Sequence, residues 1–168
     1  MKRPGTRPEE LLSFLDEQGI ETRTVEHPPV YTVEQAREHR EGMQGGFSKN
    51  LFLRNKKGKM WLVVAEESCP IDLKALGRAV GAGPFSFASR QRLETYLGVE
   101  AGAVSPFGLI NDSNHDVRVI IDQGLLALDP LHFHPLDNSM TTIIGAQDLL
   151  RFMKATGHLY EVVDLKTV

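Results

Sequence analysis

The apolar residues of this 168-residue chain arrive in short packets. Met60–Ala65 is among the longest, and it falls far short of the roughly 18–20 residues a membrane helix needs. Packets of that length, punctuated by glycine, proline and asparagine, form strands and short helices that must share one core. The clearest pair is Asn50–Arg54 and Met60–Ala65, joined by Asn55-Lys56-Lys57-Gly58-Lys59, where a glycine can take positive φ. That pattern predicts a β-hairpin.

Other punctuation extends the reading. Thr6 and Glu9 have capping-box spacing, Leu11, Phe14 and Leu15 share a helical face, and Gly19 supplies a stop. Glu21–Glu26 alternates as a strand does. Pro28-Pro29 then breaks the chain, and Thr32-Val33-Glu34-Gln35 opens a second helix running to about Arg40. Asp72 and Ser89 are placed to cap helices, the second ending at Gly98. Val117–Asp122, Gln123-Gly124 and Leu125–Leu128 read as a second hairpin. Met140–Ile144 reads as the final strand, with a closing helix over Ala146–Thr156 before Gly157. Hairpins outnumber βαβ units, which predicts a single α+β domain, 1–168, on an antiparallel or mixed sheet.

Composition narrows the function classes. Lys and Arg total 19 against 22 Asp and Glu, for a net charge of −3, so the surface as a whole is not a basic glove for nucleic acid. Cys69 is the one cysteine and can form neither an internal disulfide nor a cysteine metal cage. No signal-peptide pattern opens the chain, and the expectation is a soluble cytoplasmic protein.

Three segments are unusual for their positions between strands. In Gly45-Gly46-Phe47-Ser48-Lys49-Asn50 a lysine stands at the mouth of a strand, where it could offer positive charge to phosphate, act as a base if desolvated, or simply be solvated. In Gly98–Leu109 the glycines would let backbone N–H groups approach an anion or a developing oxyanion; a plain connecting loop is the alternative. The offsets of Gly98, Gly102 and Gly108 match neither a Walker loop nor a dinucleotide fingerprint. In His132-Phe133-His134-Pro135-Leu136-Asp137-Asn138, an extended backbone would set both histidines on one face, as two metal ligands might stand, with Asp137 or His115-Asp116 completing a site. No named zinc motif is matched. Cys69 reads as a packed residue, and Arg90, Arg92, Lys56, Lys57 and Lys59 as either a phosphate-tracking patch or a solvated face.

In order and spacing, Lys49-Asn50-Leu51-Phe52-Leu53, Gly102–Leu109 and His134-Pro135-Leu136-Asp137-Asn138 together resemble the YbaK/ProX family of aminoacyl-tRNA editing domains, as does the opening Glu26-His27-Pro28-Pro29-Val30-Tyr31-Thr32-Val33-Glu34. The likeness covers about residues 6–165 and is strongest to the free-standing ProX branch. It implies a curved, barrel-like mixed sheet of six or seven strands flanked by helices. It also implies hydrolysis of the ester in mischarged tRNA(Pro), most strongly Ala-tRNA(Pro), without metal, cofactor or covalent enzyme intermediate, and with help from the ribose 2′-hydroxyl. By the same resemblance Lys49, Asn50, Gly102, Pro106 and Gly108 are catalytic positions, and His134, Thr32, Phe107 and Asn138 bind substrate. The implied partners are the tRNA acceptor end and, beyond it, prolyl-tRNA synthetase or an elongation factor; neither membrane nor DNA is expected.

Such an editor answers a limit of binding. A pocket built for proline rejects smaller alanine by only about 1–3 kcal/mol per missing methylene, which is why double-sieve editing exists in synthetases. Three rivals stand beside this reading. They are a Cys-tRNA(Pro) deacylase of the same family, a non-catalytic module binding tRNA or a synthetase, and a metal-dependent hydrolase using His132 and His134. The Gly98-Val99-Glu100-Ala101-Gly102 stretch lacks the double glycine of the cysteine-specific branch, which weighs against the first of them.

Overall fold

The computed structural model describes residues 6–29, 34–35 and 43–168. Thr32, and most of the helix expected to follow it, lie outside the described residues. Helix α1 (Pro8–Glu17) begins one residue later than its expected box: Arg7 is the N-cap, and its N–H donates to the Glu10 carboxylate. Proline in the first turn and the positive φ of Gly19 set its limits. Leu11 and Leu15 are its buried stripe.

Eight strands follow the order β1-β7-β6-β2-β3-β5-β8, with β4 beside β2. They are β1 (Thr22–Glu26), β2 (Gly46–Arg54), β3 (Met60–Glu66), β4 (Ser86–Phe87), β5 (Val117–Asp122), β6 (Leu131–Phe133), β7 (Met140–Ile144) and β8 (Tyr160–Val163). The β2–β3, β2–β4, β6–β7 and β1–β7 pairs are antiparallel, whereas β2–β6, β3–β5 and β5–β8 are parallel. The sheet is mixed, as expected, with eight strands where six or seven were implied.

Two expectations are corrected. Gln123–Leu126 is a short helix, not the turn and return strand of a hairpin. Asp122, fully buried, caps it by accepting from the Gly124 N–H, and its other oxygen accepts from the Glu66 N–H at 2.9 Å. With β3 on one side of β5 and β8 on the other, no edge remains for a returning strand. Met140–Ile144 is a strand but not the last one, since β8 follows the closing helix.

The alternation along β2 and β3 feeds two cores on opposite faces. Phe52, Met60, Leu62 and Val64 join α1 and the closing helix α5 (Ala146–Ala155), with Leu149, Phe152 and Met153 inward. Leu53, Trp61, Val63 and Ala65 meet helix α2 (Leu73–Ala79) through Leu76, and also Phe85, Cys69 and Leu165. Asp72 caps α2 with bonds from the Lys74 and Ala75 N–H groups, and Ser89 caps α3 (Arg90–Arg92). A π-helical turn, Leu93–Leu97, carries α3 on to Gly98, whose φ is positive. The helix Gln123–Leu126 is α4.

Candidate functional site

Strand β2 is the frame of the site. Its first residues pair in parallel with β6, Gly46 with Leu131 and Phe47 with His132, while Ser48–Arg54 pair with β3. Gly45 fits the entry to β2 at φ +106°, where a Cβ would lie 2.0 Å from the Pro130 carbonyl oxygen. Only glycine meets both conditions. On its β6 edge, β2 is next paired at Leu53 and Arg54, by β4.

Because side chains alternate, Lys49 and Asn50 serve opposite faces. Lys49 stands across from Ala65, on the face of the second core, and its ammonium acts electrostatically on the Cys69 thiol. It is half-buried, and none of the ion pairs among the described residues involves it. Continuing the β2–β6 register two residues past Phe47 and His132 brings Lys49 level with His134. Asn50 lies opposite Val64, on the first-core face, where its Nδ2 donates to Ser48 Oγ at 3.2 Å. Its Oδ1 is buried without a hydrogen-bond partner. An orphaned acceptor of this kind costs about 1–3 kcal/mol and is uncommon in folded proteins.

His134 follows directly after β6. Its Nδ1–H donates to the Met140 carbonyl at 2.7 Å, so in the neutral ring Nε2 keeps its lone pair. Burial holds its pKa below the usual histidine value, and the neighbouring His27 pushes the same way against the opposing effects of Met140 and Asp137. The imidazole is therefore a neutral acceptor at pH 7. Asp137 stays ionised because the Ser139 hydroxyl and N–H both donate to it, at 2.6 and 2.8 Å. Between them Leu136 adopts φ +69°, a conformation most side chains avoid. Asn138 lies in the same turn and is partly buried.

The glycine loop reaches His134 through Ser105. Ser105, fully buried, caps the 3₁₀ turn Pro106–Asn111: its Oγ accepts from the Phe107 N–H and donates to the His134 carbonyl at 2.7 Å. Gly102 is exposed in a preceding 3₁₀ turn, Ala101–Ala103, and Pro106 is buried. Gly108 packs against the π-helical turn, where a Cβ would stand 3.0 Å from that of Leu97. Phe107 has no surface to offer a ligand. It is fully buried, edge-on to both Phe133 and Phe152, and belongs to the core. Ser105 thus ties the loop to His134, and Lys49 stands on the neighbouring strand β2; Phe107 and Gly108 hold the loop from behind.

Two residues of this region were not singled out individually from sequence. Ser105 is one. His27 is the other, and its ring centroid lies 6.1 Å from that of His134. His27 Nδ1–H donates to the Pro28 carbonyl, which leaves Nε2 to accept from the Thr141 hydroxyl at 2.8 Å. A Ser-Pro step before a glycine-rich turn is a capping signal, but its long-range bond to residue 134 has no local signature.

The pairing of His132 with His134 as metal ligands is not what the structure shows. His132 Nδ1 is bonded to the Gly46 carbonyl at 3.1 Å, with its ring stacked 4.3 Å from that of Phe47. Among the described residues no group of three His, Cys, Asp or Glu is placed to hold a metal. Cys69 is buried, with its thiol pKa raised by burial and by Asp122, so it packs as a protonated thiol.

Comparison with known proteins identifies the chain's relatives. The family model for the aminoacyl-tRNA editing domain matches residues 27–152. Prolyl-tRNA editing protein ProX of Acetoanaerobium sticklandii is 40% identical over 156 residues, covering 92% of this chain and 95% of its own. Prolyl-tRNA synthetase associated domain-containing protein 1 of Mus musculus is 38% identical over 154 residues, covering 89% and 90%. A crystal structure of a candidate trans-editing enzyme for prolyl tRNA synthetase superposes with a TM-score of 0.73 at 21% identity, covering 96% of this chain and 98% of that one; at that identity it shows the shared fold.

Proposed function

The chain belongs to the aminoacyl-tRNA editing domain family, and on that premise we propose that it is a deacylase hydrolysing the ester of mischarged tRNA(Pro), with Ala-tRNA(Pro) as its substrate. What supports the reading is that Ser105 bonds the glycine loop to the neutral acceptor His134, next to the strand β2 that carries the half-buried Lys49.

Each group has a task it can perform. The Lys49 ammonium binds the phosphate of the terminal nucleotide and steers the 3′ end. Backbone N–H groups around Gly102 hold the ester carbonyl as it becomes an oxyanion, the kind of donor whose removal costs roughly 10²–10³ in rate. His134 Nε2 accepts a hydrogen bond from the substrate's ammonium group and sets the depth of the amino-acid pocket. The vicinal ribose hydroxyl assists the attacking water. The buried Asn50 oxygen, which no described residue satisfies, accepts from an N–H of the substrate.

The test is release of amino acid from Ala-, Cys- and Pro-tRNA(Pro). Loss of alanine alone, falling by roughly 10²–10³ in Lys49→Ala, is the expected result. Preference for cysteine would keep the family and change the substrate. No hydrolysis by a folded protein that binds tRNA would leave a binding module instead.

A further inference from the structure

The far end of the same hairpin carries a feature that catalysis at Lys49 does not use. A cleft of about 310 Å³ lies between the β2–β3 turn and the 80–84 segment after α2. Lys56, Lys57, Lys59, Trp61 and Arg118 line it, and no carboxylate does. The three lysines and Arg118 are exposed. Arg118 stands beside Trp61 in the parallel β3–β5 register, its guanidinium 5.6 Å from the ring centroid, so cation–π attraction helps hold it in place. On the same turn Arg92 donates to the Gly58 carbonyl at 3.1 Å, adding a fifth cation at the tip. A chain of net charge −3 has thus gathered cations at one end. Another depression among the described residues, of about 470 Å³ against α1, is edged by Glu9, Glu10 and Glu17.

Position gives the cleft its meaning. Lys49 and Trp61 project from one face of the sheet, the face α2 covers. From Lys49 to Asn55 the strand advances about 20 Å at ~3.3 Å per residue. A nucleotide held at Lys49 cannot also touch Lys56 or Arg118, but a more remote part of the same RNA can. Compact ammonium groups along one wall, facing Val80, Ala82 and Pro84 on the other, suit phosphodiesters, which ask for charge and spacing and carry no sequence message.

Resting on the deacylase reading above, we propose that this cleft binds the phosphate backbone of the double-stranded part of the RNA whose 3′ end enters the site at Lys49. The experiment compares wild type with the triple variant Lys56→Ala/Lys57→Ala/Lys59→Ala and with Arg118→Gln. Three readouts are needed: tRNA affinity against salt, KM and kcat for aminoacyl-tRNA, and hydrolysis of an aminoacylated CCA trinucleotide.

In the triple variant the slope of log K against log salt should flatten by about two to three, with affinity near 0.1 M salt falling roughly tenfold or more. KM for the full tRNA should rise with kcat unchanged, while the trinucleotide is hydrolysed as before. Arg118→Gln should show the same pattern with a slope change of about one. Unchanged tRNA affinity and slope would overturn the proposal and give the cleft to an acidic protein surface. Equal losses on tRNA and trinucleotide would also overturn it, because the hairpin would then be acting through the site. If wild type binds tRNA with a slope that the triple variant loses, yet cleaves no ester, the cleft stands and the deacylase reading falls.

Discussion

Two histidines, one buried and one partly buried, do opposite work in this molecule. His158 is almost fully buried with both nitrogens engaged: Nε2 faces Asp112 at 2.9 Å and Nδ1 the Thr156 hydroxyl at 2.8 Å. That hydroxyl donates onward to the Met153 carbonyl, so both ring nitrogens of His158 face acceptors. Asp112 also receives the N–H groups of Asp116 and Val117, tying the start of β5 to the end of α5. His134 engages one nitrogen, and no described residue is hydrogen-bonded to the other. A histidine whose valences are all met by its own chain is a fastener; one that keeps a lone pair, as His134 does, can accept from a substrate.

The comparison is broken most severely at Asp112. Burial alone would raise its pKa, but bonds from His158, Val117 and Asp116 outweigh that and hold the carboxyl below its ordinary value. Asp112→Ala strips one partner from a buried pair and should cost about 3–5 kcal/mol in urea unfolding. Activity per folded molecule should stay unchanged. If deacylation falls while stability holds, the fastener reading is wrong.

Next in size, His134→Ala should lower kcat/KM by roughly 10²-fold or admit larger amino acids, with stability changed by only about 1–2 kcal/mol. His158→Ala should do the reverse. Equal effects of the two substitutions on stability and on activity would erase the distinction.

The smallest effect is in pH. The folded pKa of His134 is depressed, so its contribution to stability is present above its unfolded pKa of about 6.5 and is lost as pH falls through the lower folded value. In activity, protonation of Nε2 removes the acceptor and should give kcat/KM an acid limb below pH ~6.5 that His134→Ala lacks. Asp112 follows the same sign in a separate window: its contribution is present above about pH 3.9 and is lost as pH falls through its depressed folded value. A thermal-melt series against pH should resolve the two steps.

What the sequence disclosed follows the range of the interactions. The 50–65 hairpin, the Asp72 and Ser89 caps and the Gly19 and Gly98 stops rest on neighbours a few residues apart, and each appears where local chemistry puts it. The Gln123-Gly124 step looked like a turn because the reading weighed glycine and missed Asp122, whose bond to the Glu66 N–H is made across the sheet. Strand β8 escaped notice because its place depends on an edge that β5 offers. In the site, Lys49 and His134 were legible through resemblance, whereas Ser105 and His27 acquire meaning only from bonds to residues 134 and 141. For Phe107 the resemblance implied a substrate contact, whereas the two rings packed against it bury it in the core.

The pairing pattern also sets when the protein can work. β2 waits for β6, with Gly46 against Leu131, and β1 waits for β7, with Thr22 against Ile144. Contacts so distant in sequence demand that long loops close first, which slows folding. Lys49 leaves the ribosome early, but His134 and its carbonyl partner at Met140 emerge some ninety residues later, after several seconds of synthesis at about 5–20 residues per second. A nascent chain therefore carries the lysine without His134 and its partner, and activity should begin only after Met140 has emerged and β6 has paired with β7.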